Sequence, residues 1–156
     1  MSKEIERKFL VRKDLWYAVQ KPSGLTIRQG YLVSEEAKTV RIRVTGTGAF
    51  LTIKGPTRNA TRDEYEFTIP ADQGAEILEK FVTKRIEKIR YIIQYKGKKW
   101  DVDEFLGDNE GLIIAEIELT AETEEFVHPP WLGDEVTTDN RYYNSRLAEN
   151  PFKSWE

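Results

Sequence analysis

Glu4-Ile5-Glu6-Arg7-Lys8-Phe9-Leu10-Val11 alternates residue by residue, and that alternation decides how the chain is read. In a β-strand, successive side chains point to opposite faces. Glu4, Glu6 and Lys8 therefore share one face, while Ile5, Phe9 and Val11 share the other. Two carboxylates and an ammonium on one strand face can hold a divalent cation together with its anionic ligand.

Working outward, the same period of two recurs around residues 26–33, 39–45, 49–54, 62–69, 84–96, 98–106 and 112–120. Turn signals separate most of these runs: Pro22-Ser23-Gly24, Gly46-Thr47-Gly48, Gly55-Pro56, Lys96-Gly97-Lys98 and Gly107-Asp108-Asn109-Glu110-Gly111. About eight strands with short links predict an antiparallel meander that closes into a barrel, a mainly β fold with a few helices packed outside. Helical spacing of Ala75, Leu78, Phe81 and Val82 predicts a helix from Asp72 to Val82, with Asp72 as N-cap. A second helix, capped by Asp139, is expected to carry Tyr143 and Leu147, and a short one is weakly marked from Asp14 to Val19. Pro151 to Glu156 reads as a loosely held tail.

The 156 residues, 39% of them hydrophobic, suit one core, and no break in composition divides them. A single domain over 1–156 is expected. The absence of cysteine excludes disulfides and thiolate metal sites, so a metal must be held by oxygens or by the lone histidine, His128. Met1-Ser2-Lys3-Glu4 has no apolar leader and no segment approaches membrane-spanning length, so a cytoplasmic protein without a membrane partner is expected. A net charge of −3 argues against a nucleic-acid partner.

The polar faces are sorted by sign. Arg41 and Arg43 alternate with Val40, Ile42 and Val44. Thr52 and Lys54 oppose Leu51 and Ile53, and Glu64 and Glu66 oppose Tyr65, Phe67 and Ile69. Lys88 and Arg90, Asp101 and Asp103, then Glu116 and Glu118 follow in turn. A solvated barrel exterior is the simple account, because antiparallel sheets commonly bury one face only. Three features oppose it. Like charges side by side repel, where a merely soluble surface intersperses signs. Serine and threonine are few at these positions, and two helices need apolar sheet to cover. A charged lumen with an apolar outside satisfies all three.

Such a lumen needs counter-charges, since facing carboxylates resist joint ionisation. Glu4, Glu6, Glu116 and Glu118, with Asp103 as a fifth, offer the hard oxygen donors that Mg²⁺ or Mn²⁺ prefers. Lys8, Arg41, Arg43, Lys54, Lys88 and Arg90 offer more positive charge than a monoanion needs, and arginine forks suit phosphate oxygens. The ligand inferred is a chain of several phosphates bridged to one or two metal ions.

Glu4-Ile5-Glu6-Arg7-Lys8 resembles the ExExK signature of CYTH-domain proteins, the triphosphate tunnel metalloenzymes. Gln29-Gly30-Tyr31-Leu32, Arg41-Ile42-Arg43, Thr52-Ile53-Lys54, Lys88-Ile89-Arg90, Asp101-Val102-Asp103, Glu116-Ile117-Glu118 and Asp139-Asn140-Arg141-Tyr142-Tyr143-Asn144 follow in the order that family uses. The resemblance implies a closed barrel of about eight strands and metal-dependent chemistry on a small triphosphate-bearing substrate. It implies metal-binding roles for Glu4, Glu6, Asp103, Glu116 and Glu118. Lys8, Arg41, Arg43, Lys54, Lys88 and Arg90 would hold phosphates. Glu118, Glu116 and Lys8 are the catalytic candidates, with Tyr31 a further substrate contact and both Tyr31 and Arg141 at the tunnel mouth. The short chain and its opening motif look like the small bacterial inorganic triphosphatase branch. Class IV adenylyl cyclase, thiamine or nucleoside triphosphatase and a non-enzymatic polyphosphate-binding module are the alternatives, and a lipocalin-like carrier fits poorly because it expects an apolar lumen. The roles of Glu64, Glu66 and Asp101, and whether the chain forms a homodimer, stay open at this stage.

Other residues are read as structural. His128 stands beside Pro129-Pro130 as a loop histidine, Trp100 and Trp131 are packing groups, and Arg7 and Glu87 have the parity of the barrel exterior.

Overall fold

The structure, a computed structural model, describes residues 3–155. Nine strands form: β1 (Lys3–Val11), β2 (Leu25–Ser34), β3 (Thr39–Thr45), β4 (Ala49–Lys54), β5 (Thr61–Ile69), β6 (Arg85–Tyr95), β7 (Lys98–Phe105), β8 (Ile113–Glu118) and β9 (Leu132–Glu135). The helices are α1 (Lys13–Tyr17), α2 (Ala71–Phe81) and α3 (Asn144–Glu149). Strands β1 to β8 close an antiparallel barrel in the order β1-β5-β4-β3-β2-β6-β7-β8 and back to β1. The expected barrel is there, but its path is two meanders rather than one. The link through α2 carries the chain from β5 across the outside to β6, which pairs with β2. The hairpin between β6 and β7 turns on Lys96 and Gly97, both at positive φ (48° and 80°), as a tight two-residue turn between right-twisted strands requires.

Closure runs through the opening motif. Glu6 and Lys8 stand opposite Glu118 and Glu116 of β8 on one edge of β1. On the other edge, Lys3, Glu4 and Ile5 pair with β5, and β9 takes over at Phe9 and Val11. Strand β9 is not legible in the sequence: it has four residues, contains Gly133 and follows two prolines, so it carries no alternation to read.

The hydrophobic packing lies outside the barrel. Phe9, Trp100, Val102, Ala115 and Ile117 project outward and are covered by Trp16 of α1 and by Trp131 and Leu132. Helix α2 lays Leu78 onto Ile42, Val44 and Ala49. Each such large side chain contributes about 2 kcal/mol on burial. Gly74 permits this docking, because a Cβ there would stand 2.2 Å from the Ala49 Cβ. Helix α2 begins at Ala71 behind Pro70; Asp72 is not its N-cap but lies in the first turn, where its carboxylate accepts from the Gln73 N–H at 2.9 Å.

The C-terminal segment departs furthest from expectation. Asp139 caps only a short turn, Asn140–Tyr142, and extended backbone at Tyr143 interrupts the helix before α3. Residues 151–155 are not a loose tail: Phe152 N–H donates to Asn109 Oδ1 at 2.8 Å, and Phe152 and Trp155 pack beside Leu147. They cover a layer in which lumen-facing positions turn apolar, as Leu10, Ile86, Phe105 and Ile114 continue the rows of Lys8, Lys88, Asp103 and Glu116. This layer floors one end of the barrel. Glu156 lies outside the described residues. Among the described residues no helix is long and apolar enough to cross a membrane.

Candidate active site

A cavity of about 280 Å³ runs inside the barrel and is lined almost wholly by charged side chains. Strand pleating aims alternate residues inward, so Glu4, Glu6 and Lys8 of β1 meet Arg41 and Arg43 of β3, Lys54 of β4, Lys88 and Arg90 of β6, Asp101 of β7, and Glu116 and Glu118 of β8. Tyr31 joins them from β2, and Glu64 and Glu66 from β5. The structure thus brings together every sequence-selected site residue except two. Asp103 lies just behind the wall, fully buried. Arg141 stays outside, paired with Asp139 at 2.7 Å and lying over the Tyr142 and Trp155 rings.

Most charges are already matched. Lys54 Nζ donates to both oxygens of Glu4 at 3.1 and 3.2 Å and lies 3.3 Å from Glu64, and Arg62 Nε donates to Glu4 at 3.1 Å. Burial pushes the Glu4 carboxyl up, but Lys54 and Arg62 outweigh it and hold the group at about 2. Arg90 grips Asp103 with two bonds of 2.8 and 2.9 Å, and Lys88 Nζ reaches the same carboxylate at 2.8 Å. Those cations hold Asp103 at about 2 against its burial. Asp103 therefore braces two cations. Lys88, enclosed and flanked by Arg90 and Arg43, is pushed down to about 7 despite Asp103.

Two places are not matched. Arg43 has no carboxylate within salt-bridge distance among the described residues; its Nε donates to Gln29 Oε1 at 3.0 Å. Burial, then Arg41 and Arg90, push its guanidinium down to about 9. Arg41 lies 3.8 Å from Glu66, with its buried Nε unpartnered. The two arginines form a cationic pole.

The second place is acidic. Burial, with Glu116 and Glu4 nearby, pushes the Glu6 carboxyl well up, and Lys8, 3.6 Å from Glu116, helps hold the Glu116 carboxyl well down. Glu118 stands directly opposite Glu6 and is exposed, its carboxyl raised by partial burial and by Glu4. Among the described residues no three carboxylates already form a cation cage. The chemistry of the donor set nevertheless fits a hard divalent ion: the donors are all oxygen, and Glu6, Glu116 and Glu118 face the same cavity.

Arg62, Lys99, Gln29, Tyr143 and Asn144 also belong to the site. Arg62, Lys99 and Gln29 share parity with Glu64, Asp101 and Tyr31, so alternation marks them. Strand alternation does not mark Tyr143 and Asn144, which lie in the family-like stretch 139–144 and enter the site because the chain breaks between the capped turn and α3. The Lys8 ammonium lies 5.5 Å from the Tyr143 ring, and Lys88 Nζ donates to Asn144 Oδ1 at 2.7 Å. His128 stacks on Phe126 in its loop, and Arg7 pairs with Glu135 at 2.6 Å on the exterior.

A closed antiparallel barrel with its core outside and an ionic channel inside defines a tunnel protein for a polyanion, rather than a carrier of apolar ligands. The CYTH domain model matches residues 2–147, and the chain belongs to the CYTH domain family, which implies a divalent metal ion. It is 48% identical to the inorganic triphosphatase of Acetivibrio thermocellus over 157 aligned residues, which cover 100% of this chain and 99% of that protein. The inorganic triphosphatase of Nitrosomonas europaea is 36% identical, over 93% of this chain and 96% of that one. The crystal structure of the inorganic triphosphatase NE1496 superposes with a TM-score of 0.65 at 34% identity, covering 93% of this chain and 97% of that one.

Proposed function

We propose that this chain is a cytoplasmic, single-domain hydrolase that cleaves a phosphoanhydride bond of inorganic triphosphate with Mg²⁺ or Mn²⁺. The observation that carries the reading is the unmatched Arg43 guanidinium, half-buried beside Arg41 and Arg90 in the same cavity as the acidic pole. A buried like-charge cluster is costly when empty and becomes favourable when a polyanion enters. Full-length similarity to curated inorganic triphosphatases supports the same substrate.

In this reading Arg41, Arg43 and Arg90 bind the outer oxygens of the phosphate chain, with Lys54 and Lys88 beside them. Lys8, between Glu116 and the Tyr143 ring, neutralises charge on the leaving phosphate. Glu6, Glu116 and Glu118 would hold the metal, which when bound neutralises phosphate oxygens and acidifies water. Glu118, the exposed member, orients the attacking water and accepts its proton. Glu4 and Asp103, each gripped by two cations, keep Lys54, Lys88 and Arg90 in place.

The test is phosphate release from tripolyphosphate, ATP and thiamine triphosphate with either metal, following cyclic AMP in the ATP samples. Preferential cleavage of tripolyphosphate, abolished by Glu118→Ala, is expected. Cyclic AMP with pyrophosphate would replace hydrolysis by cyclisation, and full activity of Glu118→Ala would remove Glu118 from the site.

A further inference from the structure

Gln29 is fully buried behind the cavity wall and touches three groups that the site uses. Its orientation is fixed twice over. Arg43 Nε can only donate, so the atom 3.0 Å away is the amide oxygen of Gln29. On the far side, Lys88 Nζ, as the ammonium in its ion pair with Asp103 at 2.8 Å, donates to the atom it meets at 2.7 Å, which is Asn144 Oδ1. The Gln29 atom 3.3 Å from that same oxygen must be its NH₂. Both anchors give the same amide orientation.

The second amide proton of Gln29 then points at Tyr31 Oη, 3.1 Å away. The tyrosine oxygen is the acceptor of that bond, and its own proton must go elsewhere. Among the described residues Tyr31 donates to no protein acceptor, and its side chain lines the cavity.

We propose that Gln29 is a positioning residue: by donating to Tyr31 Oη it turns the phenol proton into the tunnel, where Tyr31 donates to an oxygen of the bound phosphate chain. The inference rests on the polyphosphate reading of the cavity. It gives a directional relay in which the fixed donors Arg43 and Lys88 set an amide, and the amide sets a hydroxyl. Tyr31 thereby acts as a neutral donor of fixed direction among cations.

A double-mutant comparison tests it. Tripolyphosphate affinity is measured by calorimetry in chelator, and phosphate release with Mg²⁺ in parallel, for Tyr31→Phe in three backgrounds: wild type, Q29E and Q29M. A hydrogen bond to a charged phosphate predicts that Tyr31→Phe weakens binding about tenfold in wild type. In Q29E the carboxylate accepts from both Arg43 and Tyr31, the phenol proton turns back, and Tyr31→Phe has no further effect. In Q29M the hydroxyl rotates freely and Tyr31→Phe keeps most of its effect. Equal effects of Tyr31→Phe in wild type and Q29E overturn the inference, as do equal changes in Q29E and Q29M, which a purely structural role predicts. Should Q29E not fold, a crystal structure of the wild type with tripolyphosphate decides: Tyr31 Oη within hydrogen-bond distance of a phosphate oxygen, with the Gln29 bonds intact, supports the relay, and a Tyr31 turned away refutes it. Binding without hydrolysis removes the hydrolytic reading alone; no wild-type binding removes both.

Discussion

Replacing Arg43 with methionine separates a residue that holds the ligand from one that holds the fold. In the structure Arg43 makes one bond to Gln29, has no carboxylate partner among the described residues, and is repelled by Arg41 and Arg90. The substitution loses that charge-assisted bond to the buried Gln29 Oε1, about 1.5–3 kcal/mol, and offsets most of the loss by relief of repulsion. Methionine fills much of the same volume. Unfolding free energy in urea is therefore expected to stay within about 1 kcal/mol of wild type. Binding has no such compensation: one charge-assisted bond to phosphate is worth about 1.5–3 kcal/mol, so tripolyphosphate affinity should fall roughly 10- to 150-fold. Calorimetry with tripolyphosphate and urea titration of the same two proteins read both quantities. Destabilisation of the empty protein by more than about 3 kcal/mol, or unchanged affinity, would show that Arg43 is a structural cation and would refute the reasoning.

Asp103→Asn should behave oppositely, costing about 3–5 kcal/mol in urea because Lys88 and Arg90 are left buried without their shared carboxylate. The Glu4 carboxyl, held at about 2 in the fold against an ordinary value of 4.5, contributes stability that is full above pH 4.5 and is lost as pH falls through about 2. Thermal melting between pH 5 and pH 2 should accordingly be steeper for wild type than for Glu4→Gln, and parallel curves would contradict this. Gly74→Val should destabilise by about 2 kcal/mol or more in urea, because its side chain meets Ala49, while β-structure by circular dichroism persists. Removing residues 151–156 uncovers the apolar layer around Leu147 and should lower the melting temperature, whereas the loose tail expected from sequence would leave it unchanged.

Much of this fold is legible because a barrel with one charged face repeats a period of two on every strand. Arg41, Arg43, Lys88 and Arg90 sort themselves from Val40, Ile42, Ile89 and Tyr91 without any knowledge of neighbours, and the lumen follows. Pairing is not legible in the same way. Whether β5 meets β1 or β6 depends on where α2 crosses, and the helix pattern gives the covered stripe but not the sheet beneath it. Alternation sorts the acidic and basic residues into two sets, yet Glu4 and Asp103 are distinguished from Glu6, Glu116 and Glu118 only by which cations lie across the lumen. Parity marks Arg62, Lys99 and Gln29 as inward. Tyr143 and Asn144 escape it because they belong to no strand, and the helical spacing of Tyr143 with Leu147 conceals the break that aims them inward.

The apolar core outside the barrel bears on how such a protein changes over generations. Trp16, Trp100, Trp131 and Leu78 secure the shape from the exterior, while the ligand meets side chains on the opposite face of the same strands. A substitution at an uncompensated inward position such as Arg43 alters chemistry while leaving the scaffold's stability reserve largely untouched, whereas one at Asp103 draws on both. Evolvability is thus distributed unevenly through the lumen, concentrated at the positions whose charge no neighbour answers.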